Sequence, residues 1–298
     1  MTSAIAVSDL TRRYGDCLAL DGVTMDVADA SITGLLGRNG AGKTTLLRII
    51  TAQEFASAGS VRVLGADPVE NGPILRRMVC IRGDQTYPDI PIRQALRVAA
   101  WFYPEWDEAL ARTLVAEFDL PLRRRMRHLS RGMRSAVGII IGLAARADVT
   151  LFDEPTAGLD AVARQLFYDR LLAAYAGRPR TVLLSTHLID EVAGLLERVV
   201  VLHRGRVALQ AATDALRGSA VRVSGPAAAV EAFSTGRQTG DTRRVGAQAT
   251  VVVAGPLDDS DLARARAHHL EIAPLSLQQL VVHAATQATA DARERTSV

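Results

Sequence analysis

The stretch Gly37-Arg38-Asn39-Gly40-Ala41-Gly42-Lys43-Thr44-Thr45 has the spacing G-x-x-x-x-G-K-[ST], which suits it to holding phosphate. Successive backbone N–H groups can wrap an anion only where side chains leave room, so glycine at 37, 40 and 42 has a mechanical reason. A helix starting at this point would aim its positive end at the same anion. Lys43 would reach the terminal phosphates of a nucleoside triphosphate, and the Thr44 hydroxyl would ligate Mg²⁺. The chain has 35 basic residues, and Lys43 is the one lysine among them. A chance glycine-rich turn would not be expected to have the flanks found here, an apolar strand before and a helical pattern after.

Two further groups carry polar chemistry at the ends of apolar runs. Leu151-Phe152-Asp153-Glu154 closes one run with adjacent carboxylates, a costly arrangement unless they face a cation or solvent. Asp153 would hold Mg²⁺ and Glu154 would orient and deprotonate an attacking water; alone, such a pair is as readily structural. Ser185-Thr186-His187 follows another run, and His187 reads either as a hydrogen-bonded structural residue or as a ligand contact. Ligands of open α/β sheets sit beyond the carboxyl ends of the strands, which joins Lys43, Asp153, Glu154 and His187 at one edge.

The elements that must position these groups follow from periodicity. Residues 5–10, 23–27, 31–36, 61–64, 149–152, 181–185 and 199–202 read as strands, with a turn near Gly59 and helices over 42–51 and 163–174. Residues 88–147 read as a helical subdomain, where Trp106, Leu110, Leu114 and Phe118 share one face, either for packing or for docking a partner. Strands alternating with helices predict a mostly parallel sheet with helices packed on it. A composition shift at 216–219 marks a second, small α+β domain over 219–285. Its expected strands are 221–223, 251–253 and 270–272, its helices 227–233 and 258–267, and Ser276 with Gln279 would cap a last helix. Residues 286–298 read as a frayed tail, giving a main domain over 1–216.

A net charge of +3 is too small to argue for nucleic acid. The run Arg123-Arg124-Arg125 with Arg127 lacks interleaved aromatics and reads as a solvated surface, and His268-His269 reads as exposed. Cys17 and Cys80 cannot form a disulfide framework and read as reduced, small core residues. No leader-like start or run of spanning length is evident, so any membrane role is expected to come through a partner.

In this order the residues resemble the ATP-binding cassette (ABC) ATPases, over about residues 1–212. Leu129-Ser130-Arg131-Gly132-Met133 is similar to that family's LSGGQ signature, with Arg131 and Met133 as departures. The resemblance implies a P-loop NTPase fold: a RecA-like, mostly parallel sheet with antiparallel edge strands and an inserted helical subdomain. It implies ATP and Mg²⁺ as bound groups and ATP hydrolysis as the activity. It further implies a head-to-tail dimer, with itself or a paralogous subunit, in which Ser130 and Gly132 complete the partner's site. Tyr14 would stack on adenine, Asp160 in Gly158-Leu159-Asp160 would signal across the dimer, and His187 would contact the γ-phosphate. Asn39 and Thr45 belong to the phosphate loop, and Gln85 is the candidate for the glutamine loop. The expected function is the ATPase subunit of an exporter with a separate integral membrane permease, cytoplasmic and peripheral on the membrane. Nucleic acid is not an expected partner. Non-transport ATPases acting on ribosomes or DNA, and a nucleotide-sensing module, are the other readings.

Overall fold

In a computed structural model of the chain, residues 3–216 and 218–283 are described. The tail expected over 286–298 lies outside them.

An antiparallel hairpin, β1 (Ser3–Tyr14) and β2 (Cys17–Ala28), turns at Gly15 and Asp16. It leads to β3 (Ile32–Leu36), the phosphate-loop residues and α1 (Lys43–Ile50). Next come β4 (Ala58–Val63), α2 (Gly72–Leu75), β5 (Met78–Arg82), α3 (Ile92–Phe102), α4 (Glu108–Glu117) and α5 (Arg131–Ala144). Then follow β6 (Val149–Asp153), α6 (Ala161–Gly177), β7 (Thr181–Ser185), α7 (Ile189–Val192), β8 (Arg198–His203), β9 (Arg206–Ala212) and α8 (Thr213–Leu216). The chain continues through β10 (Ala220–Pro226), α9 (Ala227–Ser234), β11 (Thr239–Val245), β12 (Gln248–Ala254), α10 (Asp259–Ala267) and β13 (Glu271–Pro274). Residues 277–283 are helical.

The central sheet has the order β5-β6-β7-β3-β8-β9, parallel except for β9. Its inner strands are covered on both faces, so β3, β6 and β7 are buried along their whole length, and they read as near-continuous apolar runs. One face packs against α1 and the antiparallel sheet β2-β1-β4, around Leu10, Leu20, Leu46, Leu47 and Ile50. Full burial of each such side chain contributes about 1.5–3 kcal/mol.

The other face packs against α5, buried without a break from Ser135 to Ala144. The apolar residues 136–144 are therefore part of a core helix. Gly138 and Gly142 let it approach closely: a Cβ at Gly142 would sit 2.6 Å from the Phe152 ring. Leu114 is fully buried and Leu110 and Phe118 pack against the same core, so this face of α4 serves packing; Trp106 packs there too but lies before the helix, not on it.

The sheet β11-β12-β10-β13 is wholly antiparallel and has its own core of Val223, Val230, Phe233, Val251 and Val253 under α9 and α10. Ser276 and Gln279 make the expected reciprocal cap.

Three expectations are corrected. Cys17 is exposed, because it flanks the hairpin turn, while Cys80 is largely covered. Gly59 lies within β4, at φ +83°, where a Cβ would strike the Asp9 carbonyl oxygen at 2.3 Å. The strands β5, β9 and β11 were not among the expected ones.

Candidate functional site

Register brings the chemistry together. Arg82 pairs with Asp153, Asp153 with Ser185, and Leu35 with Ser185, so β5, β6, β7 and β3 end level with one another. The residues just past those ends are Gly83, Glu154, Thr186 with His187, and Gly37.

Gly40 (φ +79°) and Gly42 (φ +104°) hold backbone conformations that L side chains resist. At Gly42 a Cβ would also meet the Ala19 carbonyl oxygen at 2.7 Å; beside Gly40 there is open space. Lys43 is 6% exposed, and its Nζ donates to the Gly37 carbonyl at 2.7 Å and the Arg38 carbonyl at 3.3 Å. Burial pushes its pKa down, opposed by the negative charges of Glu154 and Asp153. Asn39 is exposed at the rim, and Thr45 is half-buried in the first turn of α1.

The Thr44 hydroxyl donates to Asp153 Oδ2 at 2.7 Å. Asp153 is 5% exposed, and its Oδ1 is buried with no hydrogen-bond partner among the described residues. Glu154 Oε1 and the Ser185 hydroxyl are likewise buried without partners. Such orphaned acceptors are rare in folded proteins and mark places where a cation or water belongs. The donor set is all oxygen, one hydroxyl and one carboxylate, which suits a magnesium ion that keeps waters and substrate oxygens in its shell. Open space at the loop and a buried ammonium suit a phosphate chain. The residues present therefore fit ATP with Mg²⁺.

Glu154 sits at φ +50°, a conformation that costs free energy in a non-glycine residue and recurs at functional sites. Its Oε2 lies 2.6 Å from His187 Nδ1. A carboxylate has no proton to donate, so the ring donates from Nδ1, and most of the His187 side chain is exposed.

The other expected residues lie around this centre. Gln85 is in the turn after β5, and its side-chain carbonyl accepts from the Arg82 N–H at 3.4 Å. Tyr14 ends β1; its hydroxyl bonds Glu54, and the Arg12 guanidinium lies 4.5 Å from its ring centroid. Ser130 caps α5 by accepting from the Met133 N–H at 3.1 Å, and Asp160 caps α6 by accepting from Ala163 at 2.8 Å. Gly132 is tight against the Gly158 carbonyl oxygen, 2.5 Å from where a Cβ would be. Arg131 is exposed, its stem packed on Gly158.

Two neighbours of the site escaped the sequence reading. Gly83 abuts Glu154, whose carbonyl oxygen would be 2.3 Å from a Cβ there. The Ser135 hydroxyl donates to the Ala157 carbonyl at 2.6 Å, tying α5 to the segment after Glu154. Recognition of β5 as a strand would have pointed to the first; the second pairing leaves no local signal.

The sequence pattern of the family described as ABC transporter matches residues 20–157. The chain is 33% identical over 227 residues to the Nod factor export ATP-binding protein I of Paraburkholderia xenovorans (strain LB400), covering 74% of each chain. It is 34% identical over 222 residues to the daunorubicin resistance ATP-binding protein DrrA3 of Streptomyces coeruleorubidus, covering 72% of this chain and 70% of that one. A solved structure of the ATP-binding subunit of an ABC transporter superposes with a TM-score of 0.65 at 27% identity, over 72% of this chain and 92% of that one.

Proposed function

Since the chain belongs to the ABC transporter family and is an ATP-hydrolysing, ATP-binding subunit of a transporter, we propose that it drives an exporter whose permease is a separate membrane protein. The names of its relatives, Nod factor export and daunorubicin resistance proteins, support export over ribosome- or DNA-linked work. The observation that carries the catalytic reading is the cluster of Lys43, Thr44–Asp153 and Glu154–His187 at the level ends of β3, β6 and β7.

The loop N–H groups and Lys43 hold the β- and γ-phosphates, with Asn39, Gly40, Gly42 and Thr45 shaping the cradle. Thr44 and Asp153 would hold Mg²⁺, which when bound supplies positive charge against the developing phosphoryl charge. Glu154 takes a proton from water as that water attacks the γ-phosphorus, releasing ADP and phosphate. His187 keeps the carboxylate oriented and directs its exposed ring edge at the γ-phosphate.

Tyr14 stacks on adenine, and Gln85 senses the site from the turn after β5. Ser130 and Asp160 are exposed at helix starts, as residues serving a second chain must be. ATP thus closes a head-to-tail dimer, and hydrolysis reopens it. The protein is cytoplasmic and held at the membrane by its permease; among the described residues no helix is long and apolar enough to cross one. The ATPase domain spans 1–216, with the small domain over 219–285 appended.

The test is capture of tagged Glu154→Gln protein from detergent-solubilised membranes with ATP present. Co-purification of a stoichiometric polytopic membrane protein is expected. Recovery of ribosomes, DNA-bound complexes or only a soluble homodimer would overturn the proposal.

A further inference from the structure

Arg180 lies at the opposite end of the sheet from the nucleotide loop, immediately before β7. That five-residue strand separates it from Ser185 by roughly 16 Å. The C-terminal ends of α5 and α6 come to the same place. Between them is a cavity of about 270 Å³, lined by Asp107, Leu143, Arg146, Arg170, Arg178 and Arg180 among others.

Arg180 is only 5% exposed. Its Nη1 donates to the Leu143 carbonyl at 3.4 Å, which accounts for one end of the guanidinium. Nε and Nη2 are buried and have no hydrogen-bond partner among the described residues. Those two nitrogens share one edge of the plane, the edge that receives two oxygens of a carboxylate or phosphate side-on.

The surrounding carboxylates are already engaged. Asp107 pairs with Arg146 at 3.2 Å, and Glu117 pairs with Arg170. Glu105 pairs with Arg178 at 3.3 Å, and Asp148 is shared between Arg77 at 2.6 Å and Arg178 at 3.9 Å. Among the described residues, Arg180 is left with none. Burial first, and then the charges of Arg146 and Arg178, push its pKa down to about 10, so it remains a cation near neutral pH. A buried, uncompensated cation is costly, and a guanidinium cannot shed its charge to relieve that cost.

We propose that this cavity is an anion site, separate from the ATP site, in which two oxygens of a phosphate group accept the Nε–H and Nη2–H of Arg180. Arg146 and Arg178 add positive charge at its mouth. The cavity has room for a phosphate or a phosphate monoester headgroup. This inference does not depend on the export reading, since it concerns residues outside the nucleotide cluster.

The test uses the full-length Lys43→Ala chain, in which the nucleotide loop no longer competes for phosphate. Inorganic phosphate is titrated by calorimetry at constant ionic strength. Saturable binding is expected, weakened about ten- to a hundredfold by adding Arg180→Met, as loss of a charge-assisted pair of donors implies. Arg178→Gln, at a half-buried position outside the core, weakens it less. Sedimentation with phosphatidylcholine vesicles containing phosphatidic acid separates the two sources. Capture that Arg180→Met abolishes supports a lipid headgroup; phosphate binding without capture supports a soluble phosphate. The proposal fails if Lys43→Ala protein binds no phosphate, or if neither arginine variant changes the affinity. Arg180 would then only cap helix carbonyls, with water on its other edge.

Discussion

His187 and Glu154 act as one unit: Nδ1 of the ring lies 2.6 Å from Oε2 of the carboxylate, although 33 positions separate them in sequence. Glu154 is held there by its own backbone, whose N–H donates to the Ser185 carbonyl at 3.0 Å, the last residue of the strand that delivers His187. The candidate base and its orienting group are thus fixed by the same pair of strands.

Glu154→Gln keeps the shape and removes the proton acceptor. ATP turnover should fall by about 10²- to 10⁴-fold, the usual worth of a general base, while nucleotide binding persists. Phosphate release and equilibrium nucleotide binding, measured on one preparation, check this. Turnover within a few-fold of wild type would remove Glu154 from the base role.

His187→Ala should leave stability unchanged, because the side chain is mostly exposed. Its effect should appear in kcat, as a loss of roughly ten- to a hundredfold from a misdirected carboxylate. Thermal unfolding run beside steady-state kinetics separates the two. A lowered Tm with unchanged kcat would make His187 a structural residue.

Thr44→Val removes the hydroxyl that Asp153 accepts and leaves a buried carboxylate with both oxygens unsatisfied. A stability loss of about 1–3 kcal/mol is expected by urea unfolding. The Mg²⁺ dependence of ATP binding should weaken at the same time. Unaltered Mg²⁺ dependence would argue against Thr44 as a ligand.

Gly132→Ala would place a methyl group 2.5 Å from the Gly158 carbonyl oxygen, a backbone atom that cannot swing aside. A cost of about 1–3 kcal/mol follows from overpacking. Because the displaced segment runs to Asp160, ATP-dependent dimerisation should weaken too, as light scattering would show. A fully stable, dimerising Gly132→Ala protein would contradict the contact.

In the C-terminal sheet unit, Asp261 carries an acid-sensitive contact. Its hydrogen bond from Arg237 holds its carboxyl below the usual range, helped by the Asp258 backbone. A depressed folded pKa stabilises fully above the unfolded value of about 3.9 and loses that contribution as pH falls through the folded value. Tm should therefore drop more steeply below about pH 4 in the wild type than in Asp261→Asn. Parallel Tm-against-pH curves for the two proteins would refute this.

The pieces whose chemistry is local could be read from the amino-acid order alone. The loop from Gly37 to Thr45 is legible because phosphate binding there needs glycines, a lysine and a helix start in immediate succession. Asp153, Glu154 and His187 are legible because a buried strand tolerates such groups only at its end. The inner strands are legible because cover on both faces makes them continuous apolar runs.

What lies across from what emerges only once the strands are paired. β5 is five residues long and unremarkable alone, yet pairing with β6 sets Gly83 against Glu154. Cys17 is exposed by its place beside the hairpin turn, and Arg180 becomes a buried cation without a carboxylate through residues drawn from three helices and the loops beside them. Strand order and register come from side chains interlocking between distant segments, and that information is not carried by any short window of the chain.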